Sequence, residues 1–315
     1  MLLVTYKLVL LLSTIAAIAA CAGRPSAYNG AGAPRAETIV PLKSDRLVVG
    51  LALGGGGARG FAHIGVIKAL EAAGIVPDIV TGSSSGAVIA ALYAAGHDGR
   101  SLETIALELN RDELVDFVLF GSGWVRGEAL QDFVNRMVKD RPIEGLARPF
   151  AVVATAAKSG KMVVFNRGNT GVAVRASASV PKLFIPPVIE GEEFVDGALT
   201  SPVPVRVARA MGADVVIAVD ISWFAQARNA GSDGMSRYAR SGRYQLLNGE
   251  LESADVVIRP QAAYTHMLDF DQKAVSIAAG DEAAREALGR IAAVVARATA
   301  GRASSVPEAS PEAVK

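Results

Sequence analysis

Thr81-Gly82-Ser83-Ser84-Ser85-Gly86 lies between the apolar run 75–80 and the small-residue run 87–96. This order reads as a strand, a tight turn and a helix, with Gly-x-Ser-x-Gly at the turn. Such a turn lifts its central serine above the end of a sheet. Glycine is needed on both sides because a side chain there would meet the closely approaching helix. Ser84 is therefore the candidate nucleophile, and Gly82 and Gly86 are the residues that let its turn form. A glycine-rich turn without chemistry would have the same local pattern, so the rest of the chain has to decide.

Upstream, 46–53 is a short β-rich apolar run, followed by the loop Gly54-Gly55-Gly56-Gly57-Ala58-Arg59-Gly60. A helical pattern then follows through Phe61, Ile64, Ile67 and Leu70 to Gly74, giving strand, glycine loop and helix. Downstream, 101–110, 112–120 and 127–139 read as helices that cap the sheet. Strands are expected at 149–155 and 161–166, a short helix at 172–179, and strands at 184–189 and 193–195. The last strand runs into Asp196-Gly197-Ala198. A helix at 204–211, strands at 214–219 and 255–259, and a helix at 271–298 complete the pattern. Strands separated by helices imply an α/β fold, an open, mostly parallel sheet with helices on both faces. In such sheets the functional crevice lies at the C-terminal ends of the strands, where this reading puts both the Gly54 loop and Ser84.

The 315 residues, 51% hydrophobic and 20% charged, suffice to bury one large domain, expected at 46–300. With 32 basic and 31 acidic residues scattered along the chain, there is no field to gather nucleic acid, which is excluded as a partner. Lys7 is the only charge in the first 23 residues, and the apolar run 8–20 is short for a bilayer span. Residues 1–20 therefore read as a secretory signal. Its end, Ile18-Ala19-Ala20-Cys21, resembles a bacterial lipobox. Cys21 is the only cysteine, which rules out an internal disulfide, and lipidation explains its position after the apolar run. With Ala22 following it, a lipid-anchored outer-membrane protein facing the periplasm is expected, the alternative being a soluble periplasmic protein. Residues 21–45, rich in Ala, Gly, Pro and Ser, read as a flexible tether, and 301–315 as a disordered tail.

The glycine loop supports two functions. Gly55-x-Gly57-x-x-Gly60 between strand and helix fits dinucleotide binding, and the same backbone amides could instead stabilise an oxyanion. A dinucleotide site needs an acidic residue at the end of the second strand, but Asp78 opens that strand and Ser84 closes it. A serine nucleophile needs a base. The histidines are His63, His97 and His266. The order Ser, acid, His would select Ser84, Asp196 or Asp220, and His266, whereas His63 and His97 read as helix packing or caps. Asp196, at a strand end before Gly197 and Ala198, is the alternative base.

Together, Gly55 to Gly60, Gly82 to Gly86 and Asp196-Gly197-Ala198 resemble the motifs of the patatin-like phospholipases in order and context, closest to the bacterial branch related to neuropathy target esterase. The resemblance covers about 46–290 and includes Val174-Arg175-Ala176-Ser177-Ala178-Ser179-Val180-Pro181. It implies a three-layer sandwich and a Ser–Asp dyad without histidine. Ser84 would be the nucleophile, Asp196 the base, and the amides of Gly55, Gly56 and Gly57 the oxyanion hole. Arg59 would fix the loop, with Gly60, Gly82, Gly86, Gly197 and Ala198 supporting the motifs. The segments Ser177-Ala178-Ser179 and Ser201-Pro202 stand where relatives often have Cys and Asn-x-Pro. The resemblance implies a serine esterase or lipid acyl hydrolase working through an acyl-enzyme, with no metal or cofactor. Its substrate would be a lipid or ester. The competing reading is a membrane-tethered lipid-binding protein without turnover.

Overall fold

The computed structural model describes residues 25–118, 123–222, 242–262 and 268–305. The expected signal at 1–20, Cys21 and His266 lie outside them.

The strands are β1 (Ala27–Tyr28), β2 (Val49–Leu53), β3 (Ile79–Ser83), β4 (Phe150–Ala156), β5 (Met162–Phe165), β6 (Val188–Ile189), β7 (Glu192–Val195), β8 (Val215–Val219) and β9 (Val256–Ile258). They form one sheet in the order β1-β6-β7-β4-β3-β2-β8-β9, with β5 also on β4. The run β4-β3-β2-β8-β9 is parallel, whereas β5 and β7 pair antiparallel with β4. The helices are α1 (Ala62–Ala72), α2 (Ser85–Ala94), α3 (Gly99–Glu108), α4 (Glu128–Val138), α5 (Thr170–Ala178), α6 (Val205–Ala210), α7 (Gly242–Leu251) and α8 (Lys273–Ser305).

The central strands β3, β4 and β8 are buried along their whole length because both faces are covered. Successive side chains alternate faces: Leu51 and Leu53 of β2 enter one buried cluster with α1 and α2, while Ala52 enters another with α6 and α7. α1 and α8 approach closely because Gly65 and Gly280 have no side chains. A Cβ on either would lie 1.9 Å from a carbonyl oxygen of the other helix, that of Ile277 or Ala62.

β2 is the switch point. The chain passes to β3 and β4 on one side of it and returns to β8 and β9 on the other. The loop after β2 and the turn after β3 thus meet at one end of adjacent parallel strands.

The structure corrects three local expectations. The helix expected at 112–120 is only a 3₁₀ turn at Arg111–Glu113, after which the chain bridges Phe117 to Val125. The cause is Asp116, whose carboxylate accepts the amides of Gly127, Glu128 and Ala129 at 2.6, 3.0 and 3.2 Å and so caps α4. The stretch 25–45 is no free tether. β1 pairs with β6, Leu42 N donates to Met211 O at 2.7 Å, and Tyr28 meets the buried Arg175. α8 continues through residues 301–305, where Arg302 donates to the carbonyl oxygens of Ser44 at 2.7 Å and Arg46 at 3.2 Å.

Candidate active site

Ser84 sits between β3 and α2 with φ 53° and ψ −127°, a strained conformation for a residue with a side chain. Close packing enforces it. A Cβ on Gly86 would lie 2.2 Å from Leu53 O, one on Gly82 2.5 Å from Ala87 Cα, and one on Gly60 2.8 Å from Ser85 Cβ. The Ser84 amide donates to Ser177 Oγ at 2.9 Å. This role of Ser177 had no local sequence signal, since 93 positions separate the two residues.

Ser84 Oγ donates to Asp196 Oδ2 at 2.6 Å, and both residues are buried. Asp196 Oδ1 accepts the Ala198 amide at 2.8 Å, so the carboxylate is held from its far side. Its backbone is fixed as well: Asp196 N donates to Ser179 O at 2.9 Å, and Thr155 Oγ1 donates to Asp196 O at 2.9 Å. Gly197 is required by contact, because a Cβ there would lie 2.0 Å from Val153 O.

The glycine loop passes over Ser84, with Gly55, Gly56 and Gly57 all lining the same cavity. One part of the expected oxyanion hole is corrected: the Gly55 amide donates to Pro202 O at 3.0 Å and is already spent. The Gly56 amide donates to Ser85 Oγ at 3.1 Å, so it would serve an oxyanion only after that side chain lets go. Gly57 opens the 3₁₀ turn Gly57–Phe61, and its amide precedes the first hydrogen bond of that turn. Arg59 braces the loop, its Nε donating to Gly56 O at 3.1 Å and its Nη1 to Ser222 O at 3.3 Å.

The remaining candidates separate from this cluster. His63 is fully buried in α1, and its Nε2 bonds Gly54 O at 2.8 Å. Burial lowers its pKa to about 4, with the Gly54 bond working the other way, so the imidazole is neutral and Nε2 carries the hydrogen. His97 bonds Met137 O at 2.9 Å. Asp220 Oδ1 accepts the amide and hydroxyl of Ser222 at 2.9 and 2.7 Å, and its Oδ2 faces Arg259 Nε at 3.5 Å. Asp78 accepts the Val49 amide at 2.9 Å, at the start of β2 and so at the opposite end of the sheet from the glycine loop. A ribose bound at that loop would not reach Asp78.

The cavity above Ser84 measures about 220 Å³. Among the described residues its charged lining residues are Arg59 and Asp196; the rest of the described wall is mainly aliphatic and aromatic, from α1, α2, α3, α4 and the segments around Phe184 and Phe270. A nucleophile, a carboxylate and an amide donor thus converge at one end of an apolar pocket, an arrangement suited to acyl transfer from a hydrophobic substrate.

Residues 51–209 match the family model described as patatin-like phospholipase. An uncharacterized NTE family protein of Mycobacterium tuberculosis is 37% identical over 196 residues, 60% of this chain and 53% of that protein. A second one from the same species is 33% identical over 270 residues, 76% of this chain and 46% of that protein. Patatin-like phospholipase domain-containing protein 6 of Mus musculus is 35% identical over 182 residues, 55% of this chain and 13% of that protein. The chain thus spans about half or less of the length of these relatives. The crystal structure of VipD from Legionella pneumophila has a similar fold, with a TM-score of 0.51 at 14% identity over 78% of this chain and 67% of that one.

Proposed function

The chain belongs to the patatin-like phospholipase family, and we propose that it is a serine lipid acyl hydrolase using Ser84 and Asp196 as a dyad. The observation that carries this reading is the 2.6 Å hydrogen bond from Ser84 Oγ to Asp196 Oδ2 at one end of an apolar cavity.

In the proposed reaction Ser84 Oγ attacks the ester carbonyl carbon while its proton passes to Asp196. The carbonyl oxygen becomes an oxyanion that accepts the Gly57 amide, and that of Gly56 once Ser85 releases it. Collapse breaks the bond to the alcohol, which leaves with the proton held by Asp196. Water then attacks the acyl-enzyme, again giving its proton to Asp196, and the fatty acid departs as Ser84 is reprotonated. Arg59 and His63 support this chemistry from behind the loop by holding the carbonyl groups of Gly56 and Gly54.

The test uses p-nitrophenyl esters, a lysophospholipid and a fluorophosphonate. Ser84→Ala should abolish turnover and labelling, and Asp196→Asn should lower kcat about 10²- to 10⁴-fold, the range for losing a general base. Wild-type turnover in either variant would overturn the dyad. Purified wild-type protein that hydrolyses nothing and takes no label would favour lipid binding without turnover.

We also propose that the protein works at the cell envelope through lipidated Cys21, on the strength of the apolar run 8–20 and the residues before the cysteine. Among the described residues no helix is long and apolar enough to cross a membrane. Mass spectrometry of protein purified from membranes tests this: a diacylglyceryl mass on Cys21, lost in Cys21→Ser, is the expected result. An unmodified N-terminus or cleavage elsewhere would refute it.

A further inference from the structure

The cavity at Ser84 has a depth that its helices define. Its wall along α2 consists of Ser84, Ser85, Val88, Ile89 and Leu92, successive positions on one helix face. Each helical residue advances 1.5 Å, so Leu92 stands about 12 Å beyond Ser84. Leu102, the first residue of α3 to line the same cavity, follows the short connection from α2. Leu92 and Leu102 are 2% and 1% exposed, so that end is closed to solvent. Among the described residues the charged lining residues, Arg59 and Asp196, both belong to the catalytic end.

We infer that Leu92 and Leu102 close an acyl pocket that measures chain length and suits groups of about nine or ten carbons. This rests on the acyl-hydrolase reading above. A staggered chain of ~1.5 Å bonds advances about 1.25 Å per carbon, so 12 Å of depth accommodates about nine or ten. A sixteen-carbon chain would overrun Leu92 by about 8 Å.

The experiment measures kcat/KM for p-nitrophenyl esters from C4 to C16 and, without turnover, the thermal stabilisation of the full chain by saturated fatty acids from C6 to C16. Each methylene should raise kcat/KM about fourfold, the effect of burying one CH₂, up to a break near about C9 or C10. The fatty acids should show the same break. Val88→Phe, about 6 Å from Ser84, should move the break to about C4 or C5, and Leu92→Ala should move it to longer chains. A break beyond C14 in the wild type, or one that neither variant moves, would overturn the inference while leaving the hydrolase reading intact. A fatty-acid break near C10 without hydrolysis of any ester would support the pocket and overturn the hydrolase.

Discussion

Lowering the pH from 7 to 5 should destabilise this domain by about 2 kcal/mol through one side chain, His63. The ring is fully buried, donates through Nε2 to Gly54 O at 2.8 Å, and leaves Nδ1 without a partner among the described residues. Its folded pKa of about 4 lies below the unfolded value of 6.5, because burial disfavours the imidazolium. The unfolded chain therefore binds more protons between these values, so stability is greatest above pH 6.5 and is lost as the pH falls toward 4. The full loss is about 3 kcal/mol, of which about 2 kcal/mol is gone by pH 5, or roughly 4–8 °C in Tm. Urea unfolding at pH 7, 6 and 5 should reveal it when the wild type is compared with His63→Gln, whose side-chain amide can still donate to Gly54 O without titrating. Acidic groups contribute equally to both proteins and cancel in the difference. Identical pH dependence in the two proteins would refute the assignment.

Two further substitutions probe the scaffold around the site. Gly280→Ala should cost about 3 kcal/mol or more in urea, since its Cβ would lie 1.9 Å from Ala62 O, whereas Gly289→Ala on the same helix meets nothing within 4 Å and should stabilise by about 0.5–1 kcal/mol. Asp116→Ala should cost about 2 kcal/mol by removing the acceptor of three α4 amides. Because α4 carries Leu130 and Phe133 into the cavity wall, that variant should also raise KM for a medium-chain ester more than it lowers kcat.

The sheet was legible because its strands are apolar on both faces and alternate with helices, a pattern that survives even when individual boundaries shift. The turn at Ser84 was legible because its glycines and serine are adjacent in sequence. The oxyanion loop was legible only in part. That Gly55 is spent depends on Pro202 O, a residue far along the chain, and four consecutive glycines give no local clue to which amide is taken. The failed helix at 112–120 has the same origin. Asp116 fits a helical pattern locally, yet its carboxylate is fixed by amides 11 to 13 positions later. Likewise, 25–45 has the composition of a linker, and only pairing with β6 makes Ala27–Tyr28 a strand.

The fate of His63 bears on why a carboxylate would serve as base. The ring lies one helical turn past the glycine loop, close in sequence to where a catalytic histidine could have been recruited, yet it is spent on Gly54 O and held neutral by burial. Two donors, His63 on Gly54 O and Arg59 on Gly56 O, therefore fix consecutive parts of the loop from behind. In the proposed reaction that fixation would keep the Gly57 amide in place without a reorganisation step when negative charge develops. Asp196 is treated in the same way, with Oδ1 on the Ala198 amide and its backbone tied to Ser179 and Thr155, so Oδ2 alone faces Ser84. The proposed chemistry then rests on two pre-positioned groups of opposite character, a donor loop and an acceptor carboxylate. The strained φ of Ser84 is what places one oxygen between them.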